Sequence, residues 1–185
     1  MEAGEISLVP GRSCGGCTMC CKVMEVEALA KPAMQWCAHC TPGAGCKIYD
    51  DRPTECRAFL CEYLLTPHMP EFWAPARSRM VIVANKVNGG IAVHVDPSRK
   101  DAWRKQPYYG ELKAWAATLY AQKRYLIVLQ GGDVIAVMPN ADKRLGRAGP
   151  NQMIHVFEKK TPQGMIYDTA IAEKGAAPQL PVTRG

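Results

Sequence analysis

All nine cysteines of this 185-residue chain fall between Cys14 and Cys61, within 48 positions, and none occurs in the 124 residues that follow. They are Cys14, Cys17, Cys20, Cys21, Cys37, Cys40, Cys46, Cys56 and Cys61. A loop-rich segment of this length cannot stabilise itself by its own hydrophobic core, so its cysteines have to be read as cross-links of some kind. An odd count argues against complete disulfide pairing. The first residues, Met1-Glu2-Ala3-Gly4-Glu5, are acidic rather than basic and apolar, which indicates no secretory signal and leads us to expect a reducing, cytoplasmic location. Metal thiolates are therefore the better reading.

The spacing supports that reading. Cys14, Cys17 and Cys20 are each separated by two residues, so their thiols can converge on one ion from a tight turn; Cys37-Ala38-His39-Cys40 repeats the spacing. Glycine between the first cysteines lets backbone amides approach sulfur. Adjacent Cys20 and Cys21 face opposite ways in an extended chain, which suggests different ions or one thiol that is only packed. Zinc takes four nitrogen or sulfur ligands, so nine cysteines provide two closed sites and one spare thiol, with Cys21 and Cys61 the candidates for the spare. Three ions sharing bridging thiolates satisfy the same count. Zinc is the first expectation. Iron, or a [4Fe-4S] cluster on Cys14, Cys17, Cys20 and a fourth cysteine, is the alternative, because C-x2-C-x2-C is also ferredoxin-type spacing; the chain departs from it at Cys21.

Two motifs resemble a known family. Cys14-Gly-Gly-Cys-Thr-Met-Cys-Cys21 and Gly45-Cys46-Lys-Ile-Tyr49-Asp-Asp-Arg52-Pro53-Thr-Glu-Cys56-Arg57-Ala-Phe59 are similar to the C-x2-C-x2-C-C and G-C-x-I-Y-x-x-R-P-x-x-C-R-x-F signatures of the YkgJ-like cysteine-cluster proteins. The resemblance covers about residues 14 to 61 and implies zinc or iron chelation without an assigned reaction. It carries over to Cys14, Cys17, Cys20, Cys21, Cys46 and Cys56. Cys37, Cys40 and Cys61 rest on spacing within this chain. Arg52 and Arg57 are expected to offset thiolate charge and to donate to sulfur, and Tyr49 and Phe59 to cover the cluster. His39 is read first as a loop residue.

The remaining sequence predicts an α+β fold. Asp51 and Pro53 mark a helix start, and a helix from Arg52 to Leu64 would place Cys56, Leu60, Tyr63 and Leu64 on one side. Pro67, Pro70 and Pro75 interrupt the chain beyond it. The expected order is a Cys-rich metal-held lobe over 1–77, an α+β lobe over 78–174 and a flexible tail over 175–185. Short β-branched runs pair across turns: 80–84 with 91–95 through Asn88-Gly89-Gly90, 125–129 with 134–138 through Gly131-Gly132, and 153–157 with 165–172 through Thr161 to Gly164. Leu112, Trp115, Ala116, Leu119 and Tyr120 form the apolar stripe of a helix over 108–123, packed on one face of a mainly antiparallel sheet.

Composition narrows the function classes. At 48% hydrophobic residues the chain is not disordered throughout, and no apolar run approaches the roughly 18 residues of a membrane span. The formal charge of +6 would shrink to about +2 once eight thiolates held two divalent ions. A basic pI of about 8.9 and the metal knuckles motivate a second alternative, a nucleic-acid-binding module. The basic stretch Lys143-Arg144-Leu145-Gly146-Arg147 reads as solvated surface. No catalytic constellation is assigned; metal ions are the partners expected, and a non-enzyme is favoured.

Overall fold

The computed structural model describes residues 7–14, 16–149 and 151–175. The expectations for Met1 to Glu5 and for the tail beyond Gly175 lie outside these residues. The fold is α+β and mainly antiparallel, with one longer helix. The chain forms two compact units. The first takes in Met1–Val83 and His94–Arg104, the second Ala84–Val93 and Lys105–Gly185.

The first unit is built of short pieces. Helix α1 (Met19–Val23) is followed by a 3-10 turn at Glu27–Leu29 and by a two-residue hairpin, β1 (Cys40–Thr41) with β2 (Gly45–Cys46). Helices α2 (Thr54–Ala58), α3 (Glu62–Leu65) and α4 (Pro75–Ser78) come next, and strand β3 (Met80–Ala84) begins here. Met19, Val23, Trp73, Met80, Val81 and Trp103 are almost wholly buried and form the apolar interior. Polar staples hold the loops: the Arg12 guanidinium donates to the carbonyls of Tyr63 (2.6 Å), Thr66 (2.9 Å) and Met69 (2.6 Å), while Val9 N–H donates to Leu64 O. One arginine thereby ties α3 to the segment that follows it.

The single helix expected over Arg52 to Leu64 is not formed. Phe59 and Cys61 are extended, so two short helices replace it. An unbroken helix would carry Cys61 five residues beyond Cys56, roughly 140° around the axis; the break instead frees Cys61 to turn toward Cys14 and Cys17, as described below. Cys20 and Cys21 also differ from the expectation, since they lie on α1 and not on extended chain.

In the second unit, α5 (Tyr108–Ala121) buries Leu112, Ala116, Leu119 and Tyr120, four of the five stripe residues, and packs on β5 (Leu126–Gln130) and β6 (Asp133–Val137). Gly131 and Gly132 both have positive φ, which the tight turn between β5 and β6 requires. Strand β4 (Ile91–Val95) begins in this unit, where Ile91 N–H donates to Tyr125 O. A Cβ on the neighbouring Gly90 would stand 2.5 Å from the Tyr125 ring, so only glycine fits. The basic stretch read as solvated surface overlaps strand β7 (Asp142–Gly146), paired with β6; Arg144 and Arg147 are exposed as expected, Arg144 binding Asp133 at 3.3 Å, while the half-buried Lys143 binds Asp168 at 2.5 Å. Strands β8 (Gln152–Thr161) and β9 (Gly164–Glu173) form a ten-residue ribbon that is a sheet of its own, longer than the pair read from the sequence.

Candidate metal centre

The two C-x2-C segments fold alike. Cys17 N–H donates to Cys14 O at 2.7 Å, and Cys40 N–H donates to Cys37 O at 3.0 Å, so each pair closes a turn. The turns are then tied to one another. Cys37 N–H donates to Cys21 O, Gly43 N–H donates to the buried Thr18 Oγ1, and a Cβ at Gly16 would come within 3.1 Å of Gly43 O. The hairpin β1–β2 sets Cys40 directly opposite Cys46, and α2 carries Cys56.

These connections gather the thiols around a cavity of about 640 Å³. Cys14, Cys17, Cys20, Cys21, Cys37, Cys46 and Cys56 line it, with Ile48, Tyr49, Arg52 and Phe59 among its other walls. A smaller cavity of about 260 Å³ is lined by Cys14, Cys17, Cys20 and Cys61, with Phe59, Tyr63 and Leu64. All nine cysteines are free thiols; Cys37, Cys40 and Cys61 are buried and the others half-buried.

Crowding sets their electrostatics. The Cys20 thiol donates to the Cys21 sulfur, and that bond above all brings Cys21 down to about 6, against the effect of its burial; a hydrogen bond from Cys40 and the Lys31 ammonium act in the same direction. Cys20 is correspondingly raised. Burial, reinforced by neighbouring thiols, raises Cys14, Cys56 and Cys61, and pushes Cys40 up to about 12. Cys14, Cys20, Cys40, Cys56 and Cys61 therefore resist ionising. A bound cation would reverse that preference, because a coordinating thiol is deprotonated.

The donor set suits a thiophilic ion. Among the described residues no three His, Cys, Asp or Glu side chains form a group that could hold a metal ion.

No family model, curated protein or solved structure matches this chain.

The expected neighbours fall into distinct places. Arg52 lines the larger cavity, partly opposes the raising of Cys14, stacks 3.5 Å from the centre of the Tyr49 ring and donates to Tyr49 O. Tyr49 itself is 49% exposed and forms part of the rim. Arg57 is exposed, and its Nε donates to Arg52 O. Phe59 lines both cavities. His39 is half-buried and lines neither cavity; its carbonyl accepts from Lys47 N–H.

Sequence reasoning missed Lys31. It is only 6% exposed, donates to the carbonyls of Lys22 (3.0 Å) and Met24, and lies close enough to Cys37, Cys21, Cys20 and Cys56 to be influenced by each. Burial lowers its ammonium, and those sulfurs oppose the lowering. A lone lysine before Pro32 carries no sequence signal of that placement.

Proposed function

We propose that this chain is a cytoplasmic metal-thiolate protein, with zinc as its metal and a mainly structural role for the ion. The observation that carries the reading is that seven free cysteines line one cavity. The resemblance of the two motifs to those of the YkgJ-like cysteine-cluster proteins supports it, and unpaired thiols suit a reducing compartment. Bound zinc would tie together segments that share little apolar interior, contributing on the order of 10 to 16 kcal/mol per structural ion. The residues offered are Cys14, Cys17, Cys20, Cys21, Cys37, Cys40, Cys46, Cys56 and Cys61, with Arg52 and Lys31 placed to offset thiolate charge.

An iron–sulfur centre is the second reading. It is favoured by the volume of the larger cavity and by its apolar walls, which include Met24, Val26, Leu29, Ile48 and Phe59. Elemental and sulfide analysis, with a visible spectrum of anaerobically purified protein, tests both. Colourless protein with stoichiometric zinc supports the first reading; brown protein with iron and sulfide supports the second. Protein without metal contradicts both.

A further inference from the structure

We propose that the thiols are divided between two separate metal centres, one held by Cys14, Cys17, Cys20 and Cys61 and the other by Cys21, Cys37, Cys46 and Cys56, with Cys40 left out of ligation. This division rests on the metal-binding reading above and goes beyond it, since nine cysteines are equally compatible with one polynuclear cluster.

Two observations carry the division. The segment from Cys14 to Cys20 lines both cavities, whereas Cys61 lines only the smaller and Cys21, Cys37, Cys46 and Cys56 only the larger. Cys40 is 7% exposed, lines neither cavity and has its thiol hydrogen-bonded to Cys21 and Thr18. Four ligands to each ion is the closed zinc arrangement, and eight of nine cysteines satisfy two such ions. The break between α2 and α3 acquires a purpose, since it separates Cys56 and Cys61 into different groups. Adjacent Cys20 and Cys21 then serve different ions.

The test is zinc stoichiometry by native mass spectrometry, on full-length chain stripped of metal and reconstituted anaerobically with zinc alone. The wild type should hold two ions, Cys61→Ser one, Cys56→Ser one, and Cys40→Ser two, with circular dichroism confirming that each variant folds. Loss of both ions from Cys61→Ser and Cys56→Ser alike, a wild-type count of three, or loss of an ion from Cys40→Ser overturns the division. A wild type without zinc would instead remove the metal-binding reading beneath it. Alkylation of wild-type chains selected for one bound ion keeps the test independent of folding in the variants: protection should cover one group of four as a block, and protection that mixes Cys61 with Cys56 overturns the proposal.

Discussion

The ammonium of Lys22 lies 2.5 Å from the carboxylate of Asp96, 74 positions further along the chain, and the carboxylate is completely buried. Lys22 directly follows Cys21 on α1, so this pair fixes the helix that carries two thiols. Arg79 shares the same carboxylate, and Ser98 donates to it from both N–H and hydroxyl. Asp96→Asn should destabilise the first unit by about 3 to 5 kcal/mol, the usual effect of leaving a buried cation without its partner. Chemical denaturation followed at the first unit's tryptophans, Trp36, Trp73 and Trp103, measures it. A change below about 1 kcal/mol would mean that Lys22 reaches solvent.

The same carboxylate sets a pH dependence. Burial alone would raise the Asp96 carboxyl, but hydrogen bonds from Lys22, Ser98 and Arg79 outweigh it and hold the group at about 2, below its ordinary 3.8. Its folded value is depressed, so its contribution to stability is complete above the unfolded value and is lost as pH falls from about 4 through 2. That contribution amounts to about 2 kcal/mol. Wild type should therefore lose that much more stability than Asp96→Asn over this interval; parallel profiles would contradict the assignment.

Lys31 places a cation beside Cys37, Cys21, Cys20 and Cys56. Lys31→Met should keep the side-chain length, remove the charge and weaken zinc binding by about 10- to 100-fold, the range for residues that support metal ligands. Competition with a chromophoric chelator reads the affinity. Unchanged affinity would reduce Lys31 to its hydrogen bonds with the carbonyls of Lys22 and Met24.

Gly90→Ala tests the second unit alone. The new methyl would overlap the Tyr125 ring, and the loss should be about 1 to 3 kcal/mol from overpacking. Thermal unfolding of wild type and variant gives the difference. A neutral substitution would show that the ring moves aside freely.

Much of the second unit was legible because local chemistry and tertiary need agree there. Gly131-Gly132 supplies the positive φ that its turn demands, and the stripe from Leu112 to Tyr120 has the period of the helix it forms. Strand β7 was not legible: its charges make Lys143 and Arg144 look like solvated surface, which Arg144 is, and only the fold reveals the strand and Asp168 as the partner of Lys143. In the first unit the cysteine spacing foretold the turns at Cys14–Cys17 and Cys37–Cys40. It did not foretell the extended residues Phe59 and Cys61, because the helix start at Pro53 carries no information about where the helix must stop. Lys31 escaped for the same reason, since its neighbours are set by loop packing and not by period.

Metal content together with thiol accessibility on the anaerobically purified full-length chain decides whether these thiols hold metal. About two zinc ions per chain are expected, with Cys14, Cys17, Cys20, Cys21, Cys37, Cys46, Cys56 and Cys61 protected from alkylation until a chelator is added. Metal-free protein in which the half-buried thiols alkylate freely, with no change on adding zinc, would contradict metal binding.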